Sequence, residues 1–397
     1  MRVRFEPWGA WIKLQTAAAL VAVGREEALA LGLDGGDAWH GPTRTSAPLE
    51  VHLAVTSRCG AGCTGCYIDA RPDGTEPSIE SLGRALDALR DAGVFTVALG
   101  GGEPTTRDDL DVLAEMARAR GLTPVLTTSG LGLSQARVDR LRGFAQVNVS
   151  YDGPDAAYAS VRGFDGAAAA EAAVQRLASS GQRVGVNVVL TRESFLRVAE
   201  TLRRARDLGA SEAQLLRYKP AGRAATMDYM ARRLTLAQRA ALGPTLRRLA
   251  RELCADGAFH VRIDCALVPF LSADDELAQS ADAMQRWGVF GCEAASALAA
   301  ATVDGRMAPC SFAPASPLRV DDLARGYGGD ADLSRWRSHA DSLPEPCATC
   351  SLRSVCKGGC KVVSSFVAGA MGPDPECPRV ERMRRHERVC PGGDPGE

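Results

Sequence analysis

"SRCGAGCTGCY", Ser57–Tyr67, sets three cysteines at C-x3-C-x2-C spacing among the glycines Gly60, Gly62 and Gly65. The residues just before it, "LEVHLAV" from Leu49, alternate as a β-strand does, so the cysteines lie in the loop at that strand's C-terminal end. Glycines there let the backbone wrap closely around a bulky group. Thiolates prefer soft metals, and a compact three-cysteine loop suits a cubane iron–sulfur cluster. Three ligands leave one iron uncovered, able to bind a substrate or cofactor as an open zinc position does. The competing reading is a zinc knuckle completed by His52 or a distant cysteine, although structural zinc sites are usually built from two ligand pairs.

Downstream of this loop the pattern repeats. "SIESLGRALDALRDAG" has helical apolar spacing and a glycine stop. Further strands are expected at "VFTVALG", "LTPVLTT", "AQVNVSY", "RVGVNVVL" and "EAQLLRY", with helices at Asp109–Arg120, Ser134–Arg142, Ala167–Ser180 and Ser194–Leu208 between them. Six strands alternating with five helices argue for an α/β fold with parallel strands. Six units are too few for a closed eight-stranded barrel, leaving a partial (β/α)6 TIM-like barrel or a doubly wound sheet. In either, the loops after the strand C-termini hold the chemistry.

The division expected is a short N-terminal extension and linker at 1–48, the partial barrel at 49–220, a helical connector at 221–261, a small irregular cysteine-rich iron–sulfur domain at 262–380 and a charged tail at 381–397. Within the extension, "VRFEPWGAWIKL" suits a small hairpin anchored by Trp8 and Trp11. The chain has 397 residues, a formal net charge of −1 and 46% hydrophobic residues, so it requires neither nucleic acid nor an anionic membrane as partner. No apolar run approaches the roughly 20 residues of a membrane span. Glu6, Pro7 and Lys13 interrupt any signal-peptide core. Thirteen clustered cysteines in a chain this large fit metal ligands in a reducing cytoplasm better than disulfides.

The second strand ends in "ALGGGEP", where glycines expose main-chain groups and Glu103 offers a carboxylate able to grip an ammonium group. Together, C-x3-C-x2-C after strand one and GGEP after strand two resemble the radical S-adenosylmethionine (SAM) enzymes, over about residues 49–220. The resemblance implies that Cys59, Cys63 and Cys66 hold a [4Fe–4S] cluster and that SAM fills the open iron through its amino and carboxylate groups. It implies that Gly101, Gly102 and Glu103 face the methionine amino group, with Thr128 and Ser129 of "TTSG" nearby. Ser150 and Asp152, in "VNVSYDG", belong beside the ribose or methionyl part. Arg162, Asn187 and more weakly Arg217 are candidates for carboxylate and ribose contacts. Gly65 departs from the family, which carries an aromatic residue before the third cysteine; Tyr67, just after it, is the candidate to cover the adenine.

Toward the C-terminus, Cys292, Cys310, Cys347, Cys350, Cys356, Cys360 and Cys377 follow an order that resembles the SPASM extension of these enzymes, over about residues 262–380. The resemblance implies two auxiliary clusters. Cys347, Cys350, Cys356 and Cys377 would hold one, and Cys292, Cys310 and Cys360 the other, with Cys265 as the eighth ligand or an open iron in its place. A zinc ribbon on Cys347, Cys350, Cys356 and Cys360 is the alternative, but it leaves Cys292, Cys310 and Cys377 without a purpose. Cys254 reads as an apolar helix residue and Cys390 as a free thiol.

The function expected from the resemblance is reductive cleavage of SAM to a 5′-deoxyadenosyl radical, hydrogen abstraction, and crosslinking or oxidation of a ribosomally made precursor peptide. A flavodoxin or ferredoxin would supply the electron, and a separate protein could bind the peptide's leader. Sulfatase maturation ranks lower, because Ser311 stands after Cys310 where that subgroup carries an aspartate base. Small-molecule biosynthesis by the same radical, and a non-catalytic iron–sulfur carrier, are the other classes.

Overall fold

The computed structural model describes residues 1–14, 19–41, 45–225, 228–286 and 288–389. The chain opens on an antiparallel sheet of β1 (Arg2–Glu6), β2 (Gly9–Lys13) and β3 (Leu20–Gly24). The expected hairpin is β1–β2, and β3 extends it. This small sheet is tied to the main domain by basic side chains. Arg2 donates to the Val94 and Arg90 carbonyls, Arg4 to Pro48 and Gly93, and Lys13 to Gly121. Most of these carbonyls end helices, where unpaired C=O groups favour cations. The sheet therefore sits at the opposite end of the main strands from the cysteine loop.

The main sheet contains β4 (Glu50–Thr56), β5 (Thr96–Gly101), β6 (Thr123–Thr128), β7 (Gln146–Ser150), β8 (Val184–Leu190) and β9 (Glu212–Arg217), parallel and adjacent in chain order. Helices Ile79–Asp91, Leu110–Ala119, Gln135–Arg140, Ala167–Ser179 and Val198–Asp207 intervene. The six-strand alternation is thus present, and the sheet is wider than six. β10 (His260–Ile263) adds parallel to β9; β11 (Leu298–Ala301) adds parallel to β4 and carries β12 (Met307–Ala308). β10 and β12 stand at opposite edges, so the sheet is open. An unforeseen helix, Ala156–Arg162, follows β7.

Alternation along the strands separates two faces. On β4, Val51, Leu53 and Val55 are buried in the core, which Leu82, Leu86 and Leu89 of helix Ile79–Asp91 share. Each such leucine contributes about 1.5–3 kcal/mol by leaving water. Glu50 and His52 alternate with them and point to the other face, as do Asn148 and Ser150 on β7 and Asn187 on β8, all half-buried. That polar inner face opens toward the cysteine loop.

The C-terminal segment is short on regular structure and joined to the sheet by buried charge. Arg217 at the end of β9 donates to Asp374 and Glu376, and Glu376 also accepts from Tyr229 and Arg233. Helix Pro378–Val389 covers the start of the expected tail; Cys390 lies outside the described residues. Among the described residues no helix is long and apolar enough to cross a membrane.

Candidate active site

The cysteine loop leaves β4 and is braced from three sides. The Cys59 amide donates to Arg71 O, the Thr64 amide to Arg162 O, and Arg223 donates to Cys63 O, Ala70 O and Asp69. Arg223 belongs to the turn after β9, and its own amide donates to Cys66 O. Sequence reading missed Arg223, because nothing in its neighbourhood marks it as loop support. All three thiols are half-buried, and a Cβ at Gly60 or Gly62 would meet open space. Burial pushes the Cys59 thiol above its ordinary value, and Glu103, Cys63 and Cys66 add to the shift, so the three sulfurs and Glu103 share one neighbourhood. His52 does not complete the trio; its ring nitrogens meet Glu50 and Ser311 instead.

The glycines of "GGEP" also make close contacts with the cysteine loop. A Cβ on Gly101 would stand 2.2 Å from Thr56 O, and one on Gly102 would stand 2.2 Å from Arg58 O. The Gly102 amide donates to Thr56 O and the Glu103 amide to Arg58 O. Both glycines therefore dock the second strand end under the cysteine loop, and it is Gly100 whose Cβ position is open. Glu103 is buried and accepts from the Thr105 amide, Thr105 Oγ1, Thr128 Oγ1, and the Ser129 amide and Oγ, at 2.6–3.1 Å. Thr128 and Ser129 are thus brought to Glu103 as its donors.

Asp152 is fully buried and accepts from Arg162 Nε and the Val189 amide, both at 2.6 Å. It positions Arg162 and has no open side toward a ligand. Burial works against the Arg162 charge, but Asp152 and then Cys63 hold its guanidinium above its ordinary value, which places Arg162 beside the loop. Ser150 and Asn187 are register partners on the inner face. Arg217 is withdrawn from the site altogether, buried between Asp374, Glu376 and the Phe270 ring. At the family's missing aromatic position, the Tyr218 ring closes to 2.9 Å of where a Gly65 Cβ would lie. Tyr67 packs on Phe312, with ring centroids 4.8 Å apart.

In the C-terminal segment a small void is lined by Cys347, Cys350, Cys356 and Cys377 together. Arg379 donates to Cys350 Sγ at 3.6 Å, and Ser272 Oγ stands 3.5 Å from Cys377 Sγ. A second neighbourhood gathers the other thiols: Cys265 is hydrogen-bonded to Cys292, and the charge of Cys292 is felt at Cys310 and Cys360. The Cys265 bond lowers the Cys292 thiol, burial opposes it, and the Lys361 ammonium lowers it further. Cys254 caps helix Leu236–Leu253, half-buried against the core. Among the described residues no three Cys, His, Asp or Glu side chains converge on one point, as a single zinc ion requires.

An open parallel sheet with a three-thiol loop at its mouth and a buried acid across from it defines a radical SAM domain, and residues 53–207 match the family described as the Radical SAM superfamily. The chain carries that domain, and the family implies a [4Fe–4S] cluster and SAM. Over its wider length the chain is similar to two kinds of curated protein. It is 29% identical over 371 residues to the PqqA peptide cyclase of Ruegeria pomeroyi, covering 88% of this chain and 94% of that protein. It is 27% identical over 368 residues to the mycofactocin maturase MftC of Mycolicibacterium smegmatis, covering 88% of each. Among solved structures, Streptococcus suis SuiB bound to S-adenosylmethionine shares the fold at TM-score 0.70 and 17% identity, covering 95% of this chain and 98% of that one.

Proposed function

We propose that this protein is a radical SAM enzyme that oxidises or crosslinks a ribosomally made peptide. The observation that carries it is the three-thiol loop facing a polar sheet interior, with Glu103 fixed beside it by Thr105, Thr128 and Ser129. Bound there, the cluster and SAM supply a 5′-deoxyadenosyl radical. The chain's own residues prepare that site. Arg162, held by Asp152, offers its remaining donors to a carboxylate next to Cys63. Two auxiliary clusters are assigned by this reading, one to Cys347, Cys350, Cys356 and Cys377, the other to Cys265, Cys292, Cys310 and Cys360.

The peptide substrate is supported by the names of the relatives and by a cleft of about 720 Å3 between the loop and the C-terminal segment, lined by Tyr67, Phe312, Trp336 and Phe366. Aromatic walls of this extent suit side chains. The test is anoxic cluster reconstitution, followed by reductant, SAM and synthetic peptides covering each short open reading frame flanking the gene. The expected result is 5′-deoxyadenosine together with a mass change in one peptide. Zinc on the trio, or 5′-deoxyadenosine never formed, overturns the reading.

A further inference from the structure

Ser311 lines this cleft, and its hydroxyl is the start of a chain of contacts. Ser311 Oγ stands 2.7 Å from His52 Nδ1, and His52 Nε2 stands 2.9 Å from Glu50 Oε1. The serine comes from the loop after β12, and the other two from β4, 259 residues away from it at the Ser311–His52 contact. We propose that Ser311, His52 and Glu50 form the relay that takes a proton from the substrate held in the cleft. The inference rests on the peptide-modifying reading.

The direction of the relay follows from the chemistry of its parts. Burial opposes ionisation of Glu50, but the hydrogen bond with His52, and then Arg262, hold its carboxyl below its ordinary range. An ionised carboxylate can only accept, which assigns the proton to Nε2 and leaves Nδ1 free to accept from the serine hydroxyl. Other groups around His52 do not compete for that role. Its neighbours across the ladders are Ala98 on β5 and Ala300 on β11. Arg262 on β10 is near enough to act on Glu50, and it also donates to Glu212 of β9. The His52 and Glu50 side chains are 38% and 41% exposed, so a proton gathered there has a route to water.

The step balances. Two-electron oxidation of a peptide removes a hydrogen atom, which the adenosyl radical takes, an electron, which an iron–sulfur cluster takes, and a proton. The substrate X–H bond breaks as a new O–H bond forms at Ser311 Oγ, and the original hydroxyl proton passes to His52 Nδ1. The bonding pair stays with the substrate, and Glu50 balances the imidazolium.

The experiment uses the reconstituted enzyme, SAM, reductant and the flanking-frame peptide that the wild type modifies, and reads modified peptide per 5′-deoxyadenosine. For His52→Gln the ratio is expected to fall about a hundredfold, the lower end of general acid–base catalysis, because radical formation suffers far less than product formation. Ser311→Ala lowers it about tenfold, and added imidazole restores product to His52→Gly. Iron content equal to wild type reports an intact fold. A ratio within about twofold of wild type in both His52→Gln and Ser311→Ala overturns the relay, as does product falling only in step with 5′-deoxyadenosine without imidazole rescue. A wild type silent toward every peptide overturns the functional reading, and the relay with it.

Discussion

The loop at Cys59–Cys66 and the cradle of Cys347, Cys350, Cys356 and Cys377 present the same ligand atom in sets of three and of four. The loop's thiols are half-buried on a glycine backbone, with open space beside Gly60, Gly62 and Gly100, and their nearby acid is engaged by threonine and serine donors. The cradle's four thiols, Cys377 buried and the other three half-buried, line one small void walled by Pro269, Leu352 and Val380. An arrangement short of one ligand leaves a coordination position for chemistry, whereas a set of four closes the site. Removing one cysteine from each region gives the largest contrast. Cys66→Ala should abolish 5′-deoxyadenosine formation while the C-terminal iron stays bound. Cys356→Ala should lose about four irons per chain yet still form 5′-deoxyadenosine without peptide. Anoxic iron analysis and chromatography read both, and equal loss of 5′-deoxyadenosine in the two variants would erase the distinction.

The two regions also differ in what holds them. The loop is pinned by main-chain contacts and by the partly buried Arg223 side chain, while the C-terminal cysteines hang on buried ion pairs. Asp374 accepts from Arg217 at 2.6 Å, and its Oδ2 also accepts from the Cys360 amide at 3.1 Å. Asp374→Asn leaves Arg217 short of a partner in a dry site, and breaking a buried pair costs about 3–5 kcal/mol. Chemical denaturation of the anoxic holoprotein should show a loss in that range. An unchanged midpoint would mean that Glu376 alone satisfies Arg217.

The alternation of six strands and five helices was legible because its apolar spacing is local. So was the position of the cysteine loop at a strand end. The identity of a side chain's partner was not. Asp152 and Arg217 were read as facing a ligand, but each is consumed by partners distant in sequence, Arg162 and Val189 for one, Asp374 and Glu376 for the other. Arg223 and Tyr218, which brace and cover the loop, sit just after β9, with no spacing signal to connect them to residues 63–66. β11 could not be foreseen as a neighbour of β4, since "LAAA" is a short apolar run with no period and its pairing spans the whole domain.

A finer test separates the glycines of the second strand end. An alanine methyl at Gly102 would meet the Arg58 carbonyl at 2.2 Å, so the loop backbone must move. Such overpacking costs about 1–3 kcal/mol. At Gly100 the same methyl meets nothing, and the stability change should stay within about 0.5 kcal/mol. Paired melts of Gly102→Ala and Gly100→Ala check the difference; equal melts would mean that the loop yields freely.

The last expected effect concerns protons in the metal-free chain. Burial pushes the Cys347 and Cys360 thiols up to about 12 and Cys310 up to about 11, from an ordinary value of 9.0. Their folded values lie above their unfolded ones. The stability they protect is therefore whole below about pH 9, and it drains away as pH rises from there toward 11–12, because the unfolded chain releases those protons first. Loading iron reverses the sign, since a thiolate ligand has already given up its proton. Urea midpoints of the reduced, metal-free chain should fall between about pH 9 and pH 11, and those of the iron-loaded chain should fall less over the same interval. Parallel curves for the two forms would show that these three thiols are not the groups that bind the metal.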